Sequence, residues 1–129
     1  MDKFRPDSFL PLTPVAFEIL LALADGERHG YSILQEVEMR SGGTVSLHAG
    51  TLYRALARLL ENDLIEEPTT SPDPSSEDQR RRYYRLTTRG IAVARAEVGR
   101  LEGQLSAART RRLLKAGALR PEALAKGRV

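Results

Sequence analysis

The chain has no cysteine, no tryptophan and only two histidines, His29 and His48. Without cysteine there is neither a disulfide nor a thiolate metal site, and a reducing compartment is the natural setting. Two histidines do not make the His- and Cys-rich ligand sets of zinc sites, so neither metal nor cofactor is expected. No GxxxxGK[ST] or GxGxxG phosphate loop is present, and no Gly-x-Ser-x-Gly elbow. A Ser–His–acid arrangement survives on composition alone, but neither histidine stands in a recognisable catalytic context. No catalytic residue is assigned and an enzyme is not expected. No apolar run approaches the roughly 20 residues that span a bilayer. The N-terminal Asp2, Lys3, Arg5 and Asp7, with Pro6 among them, lead into no apolar stretch, unlike a secretory signal, so a cytoplasmic protein with no membrane partner is expected.

What is present is ordinary globular composition: 41% hydrophobic and 29% charged residues in 129. That is enough chain for one domain with an appended helix. The formal net charge of +3 hides an asymmetry. Residues 1–79 hold six basic and fourteen acidic side chains, residues 80–115 eleven basic and two acidic. Such a division points to a polyanion or an acidic membrane surface, and equally to a solvated basic helix face.

Residues 1–12 contain two prolines and little periodicity and read as an arm. Thr13 as N-cap and Pro14 in the first helical position open a helix that is apolar nearly all round and stops at Asp25-Gly26. A second helix from about Gly30 to Arg40 has an inward stripe of Tyr31, Ile33, Leu34 and Val37, and Ser41-Gly42-Gly43 closes it. Thr44-Val45-Ser46 reads as a short strand. The third helix runs from about Ala49 to Glu61, with Leu52, Leu56, Leu59 and Leu60 inward and Thr51, Arg54 and Arg58 outward. Leu64–Glu67 and Tyr83–Thr87 read as antiparallel strands. Pro68–Gln79 between them is rich in proline, serine, threonine and acids, the composition of a mobile loop.

A long helix begins near Thr88 and is expected to reach about Gly117, leaving residues 118–129 as a frayed tail. Ile91, Ala94, Val98, Leu101, Leu105 and Ala108 are spaced 3, 4, 3, 4 and 3, a heptad seam. A seam this narrow needs a partner helix, the more so because Gly99 and Gly103 each weaken the helix by about 1 kcal/mol relative to Ala. These six residues are the expected dimerisation residues.

Three helices followed by a two-stranded hairpin give the fold class: mainly α with a small β-hairpin wing, a winged helix-turn-helix over residues 13–87 with a long C-terminal helix over 88–117. In that arrangement the third helix enters the major groove and the hairpin lies along the DNA. His48, Gly50, Thr51, Tyr53, Arg54 and Arg58 on the third helix are the candidate DNA-binding residues, with Arg80, Arg81 and Arg82 in the wing. Arginine forks to guanine O6 and N7 or pairs with phosphate, and a small N-terminal turn allows close approach. Taken singly, each has another explanation. Arg54 and Arg58 also suit a solvated helix face, Tyr53 also suits packing against the wing, and the arginine run also suits balance by Glu77 and Asp78. His29 reads as a cap or packing residue.

The stretches Ile19-Leu20-Leu21-Ala22-Leu23, His29-Gly30-Tyr31, Gly50-Thr51-Leu52-Tyr53-Arg54-Ala55-Leu56-Ala57-Arg58-Leu59, Leu64-Ile65 and Arg81-Arg82-Tyr83-Tyr84-Arg85-Leu86-Thr87, with Gly90, resemble the PadR family of bacterial transcriptional regulators. The resemblance implies a homodimeric winged-helix repressor on double-stranded DNA, with the C-terminal helix making the dimer. It implies DNA contact by the Gly50–Tyr53 helix and a wing at Arg80–Arg82. It also implies a small-molecule effector, often aromatic or phenolic. This chain departs from the drug-binding members, which stack ligands on a tryptophan of the C-terminal helix: no aromatic stands between Thr88 and Lys115. The alternative reading is a winged helix that contacts protein. A membrane-surface role for residues 88–115 is disfavoured because the basic residues are spread and the apolar stripe lacks aromatics.

Overall fold

The computed structural model describes residues 3–44, 47–68 and 82–114. The elements follow in the order α1 (Pro14–Leu23), β1 (Arg28–His29), α2 (Gly30–Arg40), α3 (Ala49–Glu61), β2 (Ile65–Glu66), β3 (Tyr83–Leu86) and α4 (Thr88–Thr110), after a 3-10 turn at Pro6–Phe9. The bounds of α1 to α3 follow from local chemistry. Thr13 Oγ1 accepts a hydrogen bond from Ala16 N, with Pro14 behind it. Gly42, at φ 63, turns the chain after α2 while Gly43 N reaches back to Glu38 O. Asp63, at φ 62, does the same after α3, where Leu64 N donates to Leu59 O.

The core gathers Ile19, Leu20, Ala22 and Leu23 of α1, Ile33 and Val37 of α2, and Leu47, Leu52, Leu56 and Leu59 at α3. Leu64, Ile65, Tyr84 and Val93 complete it from the sheet and from α4. A chain of ion pairs ties the outer sides of α1 and α2: Arg40 bonds Glu18 and Glu36, and Arg28 reaches Glu36.

The sheet has three strands in the order β1-β3-β2, all antiparallel. Arg28 pairs with Tyr84 and His29 with Tyr83, and on the other edge Ile65 pairs with Leu86 and Glu66 with Arg85. The hairpin matches the sequence reading; the third strand does not. It forms at Arg28–His29 and not at Thr44, which is a bend because its N–H and hydroxyl both donate to Ser41 O. Val45 and Ser46 lie outside the described residues, as does the loop expected at 69–79.

Three further expectations are corrected. Tyr31 is not inward; it is 47% exposed, and α2 packs through Ile33, Val37 and Leu34. Phe4, Phe9, Leu10 and Leu12 pack against the core, and Arg89 sits 4.8 Å over the Phe4 ring. The N-terminal segment is therefore part of the head and not a free arm. α4 ends at Thr110, short of 117: Arg112 takes φ 62 and Leu113 N donates to Ala108 O, which closes the helix. The tail expected at 118–129 lies outside the described residues.

By compactness the chain falls into two units, residues 1–97 and 98–129. Within the first, α4 begins on a backbone joint. Thr87 N donates to Leu64 O, Thr87 Oγ1 donates to Asp63 O, and Gly90 N donates to Thr87 Oγ1. A Cβ on Gly90 would lie 2.0 Å from Leu64 O. Gly90→Ala is therefore expected to destabilise the fold by about 3 kcal/mol or more, since the clashing atom is backbone. Urea-midpoint comparison with wild type checks this, and an unchanged midpoint would contradict the joint.

Candidate nucleic-acid interface

α3 is two-faced by composition. Leu52, Leu56 and Leu59 are at most 4% exposed, and Leu47 just ahead of the helix is equally buried. Leu47 and Leu52 stand where a hydrophobic staple fixes the entry angle of a helix. The opposite face carries Thr51, Arg54 and Arg58, with both arginines exposed. His48 is the N-cap residue, is exposed, and makes no side-chain cap bond. Ala49 and Gly50 follow, also exposed, so the first two positions of the helix present only backbone and a methyl group.

Arg54 Nη2 lies 3.5 Å from Thr51 Oγ1. Neither Arg54 nor Arg58 has a carboxylate within ion-pair reach among the described residues. Arg5 and Arg95 are likewise without one, whereas five other arginines of the head are paired. Arg28 pairs with Glu36, Arg40 with Glu18 and Glu36, Arg82 with Glu67, Arg85 with Glu66 and Glu27, and Arg89 with Asp63. The hydrogen bond from Arg85 to Glu66 holds that guanidinium still more firmly protonated than usual.

Tyr53 takes a different place from the rest of the set. It is half-buried and turns toward α2: its hydroxyl lies 2.7 Å from where a Cβ on Gly30 would stand. Gly30 N in turn donates to Arg82 O at the root of the hairpin. The His29-Gly30-Tyr31 and Gly50–Tyr53 stretches thus meet in space, through a glycine that leaves room for a phenol. His29 caps α2, its Nδ1 accepting from Ser32 N at 3.1 Å, and its ring meets Tyr83 edge-on at 5.6 Å. Arg82 is exposed; Arg80 and Arg81 lie outside the described residues.

Tyr31, read from the sequence as inward, is exposed and stands one residue from the Gly30–Arg82 hydrogen bond. Helical periodicity does not flag it, because an aromatic at the head of a helix reads as core. On α4, Ile91 and Val98 are 37% and 42% exposed. Ala94 packs against the core, and Leu101, Leu105 and Ala108 are half-buried. The fully inward positions of α4 are instead Gly90, Val93 and Glu97. Among the described residues no group of three or more metal-ligating side chains comes together. No helix among them is long and apolar enough to cross a membrane.

Tyr84 locks β3 to the core. Burial, reinforced by Glu67 and Tyr53 and opposed by Arg82, pushes its phenol up to about 12 from 10.0. The unfolded chain ionises this phenol near 10.0, the folded chain only near 12. The stability held by the neutral phenol is complete below the lower value and is lost as pH climbs toward the upper one. Tyr84→Phe is therefore expected to lose less stability than wild type between pH 10 and 12, measured by urea midpoints. His29→Ala is expected to cost about 1 kcal/mol by loss of the cap, and His29→Asn less, because an asparagine oxygen caps equally well.

The profile of the Transcriptional regulator PadR-like family matches residues 19–96. A protein of unassigned function from Lysinibacillus sphaericus is 32% identical over 74 residues, 57% of this chain. The chain spans 65% of that relative's length, just under two-thirds. A transcriptional regulator from Clostridium thermocellum superposes with a TM-score of 0.59 at 29% identity, over 78% of this chain and 90% of that one. A PadR family transcription regulator from Clostridium difficile shares the fold at 23% identity, with a TM-score of 0.61 over 76% of this chain and 97% of its own. With the match covering more than half the chain and a winged-helix architecture to carry it, the chain belongs to the PadR-like family of transcriptional regulators.

Proposed function

We propose that the chain is a cytoplasmic, homodimeric repressor that binds a palindromic site on double-stranded DNA. One observation carries this: two exposed arginines, without carboxylate partners among the described residues, share the face of α3 that lies opposite its buried leucines. A helix of this kind suits the major groove, with arginine able to meet guanine or phosphate. Arg80 and Arg81, just ahead of β3 in the sequence, add positive charge, which suits a phosphate backbone better than a protein surface. The family supports the same reading.

The seam from Ile91 to Ala108 is the proposed dimer contact. Ile91 and Val98 stand exposed where a partner helix would cover them. In such a dimer the two α3 helices enter successive major grooves, about 34 Å apart. Repression then follows from exclusion of polymerase. An effector seated on α4 would meet aliphatic and polar side chains, since residues 88–114 hold no aromatic.

The test is fluorescence anisotropy of labelled duplex DNA from around the protein's own gene, over a series of salt concentrations. Sedimentation establishes the oligomeric state. Wild type is expected to bind as a dimer with an affinity that falls steeply with salt. The double variant Arg54→Ala with Arg58→Ala is expected to lose about 100-fold or more at fixed salt, at 1–3 kcal/mol for each contact. A folded dimer that binds no duplex at low salt would leave the winged helix as a protein-contact module.

A further inference from the structure

The exposed face of α3 changes character along its length. At its head Ala49 and Gly50 are exposed and carry almost no side chain, so this end approaches another surface to backbone distance. Arg54 leans back over that end. Its Nη2 lies 3.5 Å from Thr51 Oγ1, and its Nη1 lies 3.5 Å from where a Cβ on Gly50 would stand. Long helical side chains generally lean toward the N-terminus, so this is the direction the backbone favours. Arg58 lies about 6 Å further along the helix axis, at 1.5 Å rise per residue. It is exposed, and among the described residues its side chain has neither hydrogen bond nor ion pair.

We propose that Arg54, steadied by Thr51, is the specificity-determining residue of the interface and reads a guanine in each half-site, while Arg58 contacts phosphate and adds affinity without sequence preference. This rests on the DNA-binding reading above. A helix in the major groove reads bases from its N-terminal residues. Reading guanine requires the two parallel N–H groups of one guanidinium edge to be held toward O6 and N7 together. Arg54 meets both conditions: it belongs to the N-terminal half, over a turn bare enough to reach the groove floor, and the Thr51 hydroxyl restricts its swing. Arg58 meets neither. It stands more than two turns from the bare end, with no hydrogen-bond partner for its side chain among the described residues to orient it, and an unrestrained guanidinium settles on the nearest phosphate oxygen.

The experiment uses the full-length protein and a duplex that wild type enriches from a random-sequence pool. Each base pair of the half-site is substituted in turn, and anisotropy is measured for wild type, Arg54→Ala, Arg54→Lys and Arg58→Ala over a salt series. Circular dichroism confirms the fold; all three variants change an exposed side chain. Wild type is expected to lose about tenfold or more when one particular guanine is replaced. Arg54→Ala is expected to bind the original and that substituted duplex alike, and Arg54→Lys not to restore the difference, because an ammonium group does not fork. Arg58→Ala is expected to weaken every duplex by a similar factor and to lower the salt slope by about one. Full base dependence in Arg54→Ala, or its loss in Arg58→Ala, overturns the assignment while leaving the DNA-binding reading intact. Failure of folded wild type to enrich any duplex overturns both.

Discussion

Burial of one leucine stripe decides what α3 shows to the outside. Leu52, Leu56 and Leu59 are spaced by four and three residues and are all but inaccessible. Rolling the helix by a single residue, about 100°, would lift these leucines out of the core and press arginines toward it. The first change forfeits several kcal/mol, and the second buries charge without a partner, which costs more. The outward face is therefore fixed by what happens on the inward one. No interaction of the arginines themselves is needed to orient them.

Two points of close approach hold the other elements to this helix, and each depends on a missing side chain. At Gly30 the space a Cβ would fill is taken by the Tyr53 ring, while the glycine N–H reaches the hairpin at Arg82. At Gly90 the backbone of α4 lies against the Leu64 carbonyl, with Thr87 bonding both to Asp63 and within α4. The first joint connects α2, α3 and the sheet. The second connects the end of α3 to the beginning of α4. At either joint an added side chain would have to displace a ring or the backbone itself.

The parts legible in the sequence were those with local causes. Thr13-Pro14, Gly42 and Asn62-Asp63 mark helix ends by their own conformational preferences, and the leucine stripe marks α3 by its spacing. What stayed hidden has distant causes. β1 is two residues long, too short for any periodicity, and exists because β3 pairs with it from more than fifty positions away. Phe4 and Phe9 read as an arm because neither a ring pair 5.9 Å apart nor Arg89 above Phe4 is visible from neighbours in sequence. α4 carries two stripes one residue out of phase. Apolar spacing selects Ile91, Ala94 and Val98, whereas the head uses Gly90, Val93 and Glu97, of which only valine looks like core. The periodic stripe is thus largely the one the head leaves uncovered.

Net charge is a poor guide to this surface, and the ion pairs explain why. Arg28, Arg40, Arg82, Arg85 and Arg89 all face carboxylates. Partly exposed pairs of this sort contribute about 0–1 kcal/mol each to stability. Their larger effect is to cancel positive charge locally, so these arginines add little to the outward field. Among the described residues Arg54 and Arg58, like Arg5, face no carboxylate, within a stretch whose formal balance is acidic. At physiological salt an exposed charge is felt over only about 8 Å. Acids elsewhere on the head therefore do not offset these two groups at contact. Further attraction would have to come from residues 80–115, which hold eleven basic side chains and two acids, although Arg82, Arg85 and Arg89 among them are paired with acids from outside the stretch. On the DNA-binding reading, approach and contact are served by different parts of the chain. The basic stretch from the hairpin into α4 draws the polyanion in, and α3 decides where it stops.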